Sequence, residues 1–431
     1  MMYRVSNPTK KIKGSIELTA SKSESNRALI IKALCKDNFE IKNLATAQDT
    51  QTLQEILLAD KKQLSIKNKS EITYDVGPAG TTMRFLTAYF SAKPGTRILT
   101  GSDRMKQRPI NTLVNALRKL GATIYYLEED GFPPLRIEGK LLNGGEIEMD
   151  GNISSQFISA LLLASPAFKN GLVINFKQTL TSRPYINMTL KMMEEFDVYG
   201  VWNGNSIIVS KQRYKTKDPN YIYHVEGDWS AASYWYAFAA LADEVDFKIK
   251  GLKEDSLQGD AMVAKLFNFF NVHTNYSKNT IHLTKTKTKV EIQQFGFDFS
   301  DCPDLAQTVA VVVGLLKMPA FFTGLHTLRI KETDRVLALK NELEKIGVNI
   351  EILNDESVEI TPSPIPVIPS STCYIKTYED HRMAMAFSAL AIKLKSISIE
   401  EPNVVKKSYP YFWNDLEKVG FKIEDVNEFT Y

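Results

Sequence analysis

The sequence predicts an α/β protein built from six copies of one helix-and-sheet module. Long apolar runs, typical of buried helices, each follow a short polar turn. These turns recur at Gly80, Ser155, Ser230, Asp304 and Arg382, at intervals of 75, 75, 74 and 78 residues. A second, more amphipathic helix recurs on nearly the same period, and short strand-like runs lie between the helices. Such a constant period indicates a repeated supersecondary unit, and its mixture of helices and strands indicates the α/β class.

Each element of the repeat has a local signal. Gly, Ser and Asp in the turns are residues that start helices, and the Pro that follows Arg108 and Arg183 suits the first position of the second helix. The segment 120–125 places a Gly where that helix ends and an alternating strand begins. Each copy therefore reads strand, turn, buried helix, strand, second helix, strand, strand. A shorter first copy begins near Ser23, 57 residues before Gly80.

The length of the chain limits the number of domains that we expect. A chain of 431 residues suggests two or three domains, at about 150 residues each. No copy can bury its own helix, so the copies must pack in groups, and three plus three is the simplest division.

Charge and sequence pattern exclude several partners. The chain has 53 Lys and Arg against 50 Asp and Glu, a formal charge of +3, which does not favour nucleic-acid binding. Its three Cys are too few and too scattered for a disulfide framework or a zinc cage. No apolar run approaches the ~20 residues that span a bilayer, and the beginning lacks the apolar core of a secretory signal. We therefore expect a cytoplasmic protein with no membrane partner.

Basic side chains cluster near the predicted helix starts. They are Lys22, Arg27, Arg84, Arg108, Lys331, Arg335, Arg382 and Lys407. A helix start exposes free N–H groups and a partial positive charge, so basic residues normally avoid it and anions bind there. The pattern predicts ligands that carry two or more phosphate or carboxylate groups.

The same turns carry strings that closely resemble one family, the 5-enolpyruvylshikimate-3-phosphate synthases (3-phosphoshikimate 1-carboxyvinyltransferases). In chain order the strings are 21–27 (SKSESNR), 79–84 (AGTTMR), 105–110 (MKQRPI), 154–157 (SSQF), 182–185 (SRPY), 226–228 (EGD), 303–304 (PD), 331–335 (KETDR) and 380–385 (DHRMAM). They follow the family's order and cover nearly the whole chain.

The resemblance implies an enolpyruvyl transferase-like fold. This is a two-domain inside-out α/β barrel of six repeated βαβαββ units, three in each domain. One domain is discontinuous and comprises residues 1–20 and 227–431; the other comprises residues 21–226. The active site is expected in the cleft between them.

The resemblance also implies a reaction. The enolpyruvyl group of phosphoenolpyruvate passes to the 5-hydroxyl of shikimate 3-phosphate by addition and elimination, and phosphate is released. The step belongs to the shikimate pathway, on the route to chorismate and the aromatic amino acids. It implies no cofactor and no metal, and the two small-molecule substrates are the only expected partners of a monomer.

Site residues follow by matching positions. The resemblance makes Asp304 the general base beside the 5-hydroxyl, while Lys22 and Glu332 handle the methylene proton and hold charge. The shikimate 3-phosphate site comprises Lys22, Ser23, Arg27, Ser154, Ser155, Gln156, Ser182, Tyr185, Asp304 and Lys331. The phosphoenolpyruvate site comprises Lys22, Gly80, Thr81, Arg108, Gln156, Arg335, Arg382 and Lys407. His381 is expected to orient a neighbour or to lie near the phosphate.

The chain departs from the family pattern at three places. Pro78 stands where the family usually has Asn, which removes a side-chain donor and an N–H beside the phosphoenolpyruvate site. Thr327 replaces a frequent Asn, and Asp301-Cys302 replaces His-Ile. We expect Cys302 to be a packed thiol. Glyphosate, which occupies the phosphoenolpyruvate position in this family, should inhibit the chain.

Two alternatives remain open at this level. One is the sister transferase that acts on UDP-N-acetylglucosamine, which carries a reactive Cys on a loop of its N-terminal half, whereas Cys35 here lies in an apolar helical run. The other is a catalytically silent anion-binding protein of the same fold, against which the intact Lys22, Asp304, Glu332 and Lys407 count.

Overall fold

A computed structural model describes residues 1–64, 71–178, 180–287, 294–363 and 373–426. The chain divides into two compact units. The middle unit is Ser21–Val225, and the terminal unit combines Met1–Ala20 with Glu226–Tyr431.

The chain begins with two strands that belong to the terminal unit, β1 (Met2–Ser6) and β2 (Lys11–Glu17). The helices of the middle unit are α1 (Lys22–Leu34), α2 (Gln48–Leu64), α3 (Gly80–Ser91), α4 (Asp103–Lys106), α5 (Asn111–Lys119), α6 (Ser155–Ala164) and α7 (Arg183–Glu195). Its strands are β3 (Glu40–Lys42), β4 (Ile72–Asp75), β5 (Gly95–Thr100), β6 (Thr123–Tyr126), β7 (Leu135–Gly139), β8 (Gly145–Met149), β9 (Leu172–Phe176), β10 (Gly200–Asn203), β11 (Ser206–Val209) and β12 (Ile222–His224).

The helices of the terminal unit are α8 (Trp229–Leu241), α9 (Met262–Leu266), α10 (Ala306–Leu315), α11 (Arg335–Glu344), α12 (His381–Phe387), α13 (Leu390–Lys393) and α14 (Phe412–Lys418). Its remaining strands are β13 (Glu244–Lys250), β14 (Val272–Ser277), β15 (Thr280–Lys285), β16 (Phe295–Asp298), β17 (Ala320–Thr323), β18 (Val348–Ile352), β19 (Val358–Pro362), β20 (Cys373–Ile375), β21 (Ile397–Glu400) and β22 (Lys422–Asp425).

Five of the six sheets in the described residues share one strand pattern. In the module formed by β4 to β7, β4 and β5 are parallel, β7 pairs antiparallel with β5, and β6 pairs antiparallel with β7. The sheets β8–β11 and β16–β19 repeat this order. The sixth sheet pairs β3 with β12 in parallel. No sheet closes into a hydrogen-bonded barrel in the described part of the chain.

The first two strands complete modules of the terminal unit. β2 lies parallel to β13 and supplies the first strand of the module that contains α8. β1 lies between β21 and β22, antiparallel to both, in the last module. The terminal unit therefore reaches three full modules only by using the start of the chain.

The first helix of each module forms the core of its unit. Every residue of α3 is buried, as is all of α8 except Ser230, because most of their side chains are apolar or small. The one cation of α3, Arg84, donates to the carbonyls of Gly80 and Pro109. In the terminal unit α10 packs against both α8 and α12, and in the middle unit α3 packs against α1 and α6. The prediction of an α/β class is confirmed, and five sheets of the described residues carry the repeated module, whereas the sixth holds only β3 and β12. The helices α3, α6, α8 and α12 begin at or within one residue of the turns that the period marked, and α10 begins two residues after Asp304.

A buried ion pair ties α2 to β5 in the middle unit. The carboxylate of Asp60 is fully buried and accepts from Nε of Arg97 at 3.0 Å and from Nη2 at 3.4 Å. Lys93 reaches the same carboxylate at 3.3 Å. Arg97 is 1% exposed and also donates to the carbonyls of Lys93 and Pro94. Both ions have exchanged water for fixed protein partners.

Removing one ion of this pair should be costly. Asp60→Ala leaves Arg97 buried without its carboxylate, and we expect the free energy of unfolding to fall by about 3–5 kcal/mol. Lys106→Ala is the matched control, since it breaks the more exposed pair with Glu128 and should cost less than about 1 kcal/mol. Urea titration followed by circular dichroism measures both. Equal shifts in the two variants would contradict a special role for the buried pair.

Candidate active site

Arg335, the first residue of α11, joins three carboxylates in the terminal unit. Its Nε donates to Asp380 at 2.7 Å, Nη1 to Asp304 at 2.9 Å and Nη2 to Glu332 at 2.8 Å. The arginine is 2% exposed. Burial alone would lower its pKa, but the three carboxylates outweigh burial and raise that pKa above the usual value. Arg335 thus stays charged and holds residues from three separate turns together.

Asp304 shares its two oxygens between two arginines. Oδ1 accepts from Arg335, and Oδ2 accepts from Nη2 of Arg382 at 2.8 Å. Lys331 stands 3.9 Å from Oδ1. Burial alone would raise the pKa of Asp304, but the surrounding cations, Arg382 first, hold it well below the usual value. In this state the carboxylate is a weak base.

Arg382 is fixed from both ends. Its backbone N–H donates to Oδ1 of Asp380 at 2.8 Å, so Asp380 is the N-cap of α12. Its guanidinium also donates to the hydroxyl of Tyr234 on α8 at 3.2 Å. Tyr234 is 1% exposed, and burial raises its pKa, so its hydroxyl stays protonated at neutral pH.

The remaining predicted residues of the terminal unit lie close to this group. Lys407 ends a 3-10 turn, and its Nζ donates to the carbonyl of Glu379 at 2.6 Å, one residue before Asp380. His381 is 2% exposed, with Nδ1 at 3.7 Å from Asp380. The structure therefore brings together Asp304, Lys331, Glu332, Arg335, His381, Arg382 and Lys407 around Asp380.

In the middle unit, Lys22 is paired with a residue that the sequence analysis did not select. Its Nζ lies 3.1 Å from Oδ2 of Asp49, and the two side chains are 15% and 9% exposed. The carbonyl of Asp49 accepts from the hydroxyl of Thr82 at 3.0 Å. Asp49 on α2 therefore links the starts of α1 and α3.

Arg27 is bound by protein atoms. Its Nε donates to Thr189 at 2.7 Å, and its other contacts go to the carbonyls of Ser23 and Tyr185 and the hydroxyl of Ser159. It is 3% exposed, and burial lowers its pKa to about 10. Arg27 thus fastens α1 to α6 and α7.

Arg108 lies directly against the start of α3. A Cβ built on Gly80 would stand 2.6 Å from its Nη1 and 2.9 Å from its Nη2, so the flexible end of the arginine would have to shift to admit a methyl group. Arg108 is 6% exposed, and no hydrogen-bond partner of its Nε is present among the described residues. Arg84, one turn into α3, donates to the carbonyl of Gly80 at 3.2 Å. The absence of a side chain at Gly80 thus leaves room for the guanidinium of Arg108 against the helix start.

The helix starts of the middle unit differ in capping. Ser154 caps α6 by accepting from the N–H of Gln156, whose side chain donates to Thr81 at 3.3 Å. The starts of α3, α5 and α7 have no side-chain cap, and the residue before α7, Ser182, is left-handed at φ +55. Ser155 and Tyr185 are half-buried on the first turns of α6 and α7. At the starts of α3 and α7, which carry predicted site residues, N–H groups remain available to an anion.

The departures from the family pattern have local outcomes. α3 still begins at Gly80, so Pro78 does not move the helix start. Thr327 is 5% exposed, and its hydroxyl has no partner among the described atoms. Cys302 is 2% exposed and burial raises the pKa of its thiol, as expected of a packed thiol.

Sequence reasoning missed several residues of these networks, among them the charged Asp49 and Asp380 and the tyrosine Tyr234. Asp380 had a usable signal, because an Asp directly before a helix is a strong N-cap. Asp49 and Tyr234 had none, since each meets its partner across a long stretch of chain. Within the described residues no helix is long and apolar enough to cross a membrane.

Fold and site together define a class: an α/β enzyme of repeated modules, with basic helix starts and clustered carboxylates suited to acid–base chemistry on small anions. The family model for EPSP synthase (3-phosphoshikimate 1-carboxyvinyltransferase) matches residues 6–416. A 3-phosphoshikimate 1-carboxyvinyltransferase of Bacteroides fragilis (strain YCH46) is 48% identical over 426 residues, 98% of this chain and 99% of the relative. One from Sulfurovum sp. (strain NBC37-1) is 36% identical, covering 96% and 98%.

The chain therefore belongs to the EPSP synthase family, and it is a shikimate-pathway enzyme that transfers an enolpyruvyl group. The family, the enzyme class and the main functional prediction are confirmed, in preference to the two alternatives. Solved structures agree on the fold. EPSP synthase from Acinetobacter baumannii has a TM-score of 0.74 at 19% identity and covers 98% of this chain and 100% of its own. The enolpyruvyl transferase NikO from Streptomyces tendae also has 0.74, at 13% identity and 98% of both chains.

Proposed function

We propose that the donor is phosphoenolpyruvate, that the acceptor is the 5-hydroxyl of shikimate 3-phosphate, and that the residues predicted from the sequence carry the reaction. Asp304 accepts the hydroxyl proton. Lys22 and Glu332 exchange the proton of the methylene carbon. Residues of both units bind the substrates, and inorganic phosphate is the second product.

One observation carries the assignment of the base: Asp304 shares its hydrogen bonds with the arginines that suit an anionic substrate. Arg335 and Arg382 hold the carboxylate as they would hold a carboxylate or phosphate of the ligand. When phosphoenolpyruvate pairs with these arginines, their positive charge stabilises the carboxylate of Asp304 less. Because those cations depress the pKa of Asp304, substrate binding raises it and strengthens the base.

The phosphoenolpyruvate assignments rest on complementary charge. Arg335, Arg382 and Lys407 lie in one network of the terminal unit, with Lys331 beside it. In the middle unit Arg108 packs against Gly80, where the N–H groups at the start of α3 lack a side-chain cap. Thr81 adds a hydroxyl that is already bonded to Gln156. These groups offer the forked donors and helix N–H groups that phosphate and carboxylate prefer.

The shikimate 3-phosphate assignments rest on hydroxyl and amide groups at the starts of α1, α6 and α7. They comprise Ser23, Ser154, Ser155, Gln156, Ser182 and Tyr185, with Lys22, Lys331 and Asp304. Their mixture of donors and acceptors suits a ring with several hydroxyls and one phosphate. Arg27 contributes its charge to this site while its hydrogen bonds hold α1 against α6 and α7.

The chemistry proceeds in two stages. The 5-oxygen adds to C2 of phosphoenolpyruvate as Asp304 takes its proton and the methylene carbon gains one, which gives a tetrahedral adduct that bears phosphate. The former methylene carbon, now a methyl group, then loses a proton as the C–O bond between C2 and the phosphate breaks, so the enol ether forms. Each proton moves between a carbon or oxygen and a charged side chain, which is general acid–base catalysis.

Phosphate release tests the proposed donor and acceptor. Purified protein is incubated with phosphoenolpyruvate and either shikimate 3-phosphate or UDP-N-acetylglucosamine. We expect release with the first acceptor only. Release with the second acceptor, or with neither, would contradict the proposal.

The proposal of a cytoplasmic monomer has separate tests. Light scattering on the purified chain should give a mass near 48.7 kDa, and a doubled mass would contradict it. Fractionation of the source cells should place the protein in the cytoplasmic fraction.

Asp304→Asn should separate turnover from binding. The amide cannot take the hydroxyl proton, so we expect kcat to fall by about 10²–10⁴. Phosphoenolpyruvate should bind at least as tightly as to the wild type, because Arg335 and Arg382 lose a competing charge. Steady-state kinetics and calorimetry measure the two effects. Asp298→Asn, at an exposed carboxylate that bonds to Ser300, is the matched control. Near-normal turnover in Asp304→Asn would remove it from the mechanism.

Gly80→Ala should raise resistance to glyphosate. The added methyl meets the guanidinium of Arg108 and must displace it. We expect KM for phosphoenolpyruvate to rise by about two- to fivefold, and the inhibition constant of glyphosate to rise about tenfold more, because the inhibitor is longer. Gly296→Ala is the control, since its nearest neighbour would lie 4.0 Å away. Equal inhibition constants for wild type and Gly80→Ala would contradict the assignment of this turn.

A further inference from the structure

Two adjacent residues before α12 have a strained backbone. Tyr378 has φ +54 and Glu379 has φ +55, in the left-handed region that Gly adopts readily and other residues avoid. This conformation is unfavourable for residues other than Gly, and it persists only where its surroundings impose it. Neither residue has the short hydrogen-bonding side chain of Asn or Asp that eases this conformation. Contacts from outside the turn must therefore stabilise its left-handed conformation.

These contacts come from Glu342, a fully buried carboxylate on α11. Its Oε1 accepts from the hydroxyl of Tyr378 at 2.8 Å, and its Oε2 accepts from the N–H of Lys376 at 3.0 Å. Burial and the bond to Glu342 together raise the pKa of Tyr378 to about 12, so the hydroxyl remains a donor at neutral pH. Lys345 adds a charge partner for Glu342 at 2.6 Å. Glu342 thus binds the backbone just before the strained turn, at Lys376, and a side chain within it, that of Tyr378.

Two groups of the strained turn contact the cations that we assign to phosphoenolpyruvate, Arg335, Arg382 and Lys407. The carbonyl of Glu379 meets Nζ of Lys407 at 2.6 Å. The next residue, Asp380, binds Arg335 and caps α12 through the N–H of Arg382. Three of the cations assigned to phosphoenolpyruvate therefore take their positions from one short segment.

We propose that Glu342 and Tyr378 are positioning residues for phosphoenolpyruvate binding: they hold the turn 377–380 in its left-handed conformation and thereby place Lys407, Arg335 and Arg382. The inference rests on the proposed function in that these three cations bind the substrate anion. Neither Glu342 nor Tyr378 needs to touch the substrate.

Tyr378→Phe tests the hold without changing the size of the side chain. Without the bond to Glu342 the turn relaxes and the carbonyl of Glu379 leaves Lys407. We expect KM for phosphoenolpyruvate to rise about tenfold, while kcat and KM for shikimate 3-phosphate change less than about threefold. Tyr236→Phe is the matched control, because it removes a buried hydroxyl that bonds to Thr274, outside this network.

A second variant separates positioning from general stability. Glu379→Gly removes the left-handed strain at that residue but retains its carbonyl, so the bond to Lys407 can persist. Alone it should leave KM for phosphoenolpyruvate within about threefold of the wild type. In the double variant Tyr378→Phe with Glu379→Gly, KM should return at least about threefold toward the wild-type value. A purely structural role of Tyr378 would not give this rescue.

The outcomes are distinct. An unchanged KM for phosphoenolpyruvate in Tyr378→Phe, an equal rise in both KM values, or no rescue in the double variant would overturn the inference. Failure of the proposed function would appear in the wild type as no phosphate release. In that case calorimetry with inorganic phosphate decides: Tyr378→Phe should weaken its binding about tenfold. Unaltered phosphate binding, or none by the wild type, would overturn the inference.

Discussion

The buried guanidinium of Arg335 sets the geometry of the terminal unit's site. It cannot lose its charge, so burial at 2% exposure is tolerable only with opposite charges around it. Those charges come from the turn before α10, from the segment before α11 and from the cap of α12. One planar cation thereby fixes the relative positions of three helix starts. Substitution by Lys would keep the charge but lose the fork that reaches all three carboxylates.

This arrangement places charges of both signs in contact before any ligand arrives. Four cations and three carboxylates lie in one network. In the binding mode proposed above, a substrate anion would replace one of these internal partners and would not enter an empty positive pocket. Such exchange lowers the net gain of binding but avoids a large repulsion in the free protein. In that proposed mode, substrate affinity would also be coupled to the basicity of the carboxylate that is displaced.

Much of the fold was predictable because it depends on local patterns, and the same patterns marked the charged residues that the structure brings together in the terminal unit. The period of the turns gave the starts of α3, α6, α8 and α12, since a helix start needs only a short turn and an apolar run. The partners of the charged residues were not predictable. Asp49 contacts Lys22, and Tyr234 contacts Arg382, only through tertiary packing. The sequence also cannot show that the N–H groups of Arg27 donate to Ser23, Thr189 and Tyr185. The left-handed pair Tyr378 and Glu379 lacks the Gly that usually marks such a conformation.

The pairing of β1 between β21 and β22 has a consequence for synthesis on the ribosome. All strands of the middle unit lie within residues 21–225, so its sheets can form as soon as that segment emerges. β1, however, is made first and acquires its neighbours only when residues 397–425 have been translated. At about 5–20 residues per second the delay is roughly 20–80 seconds. For that interval an interior strand has two open edges, and a chaperone or a neighbouring nascent chain could occupy them. The last module therefore cannot be completed until the end of translation, although its central strand β1 is translated near the beginning.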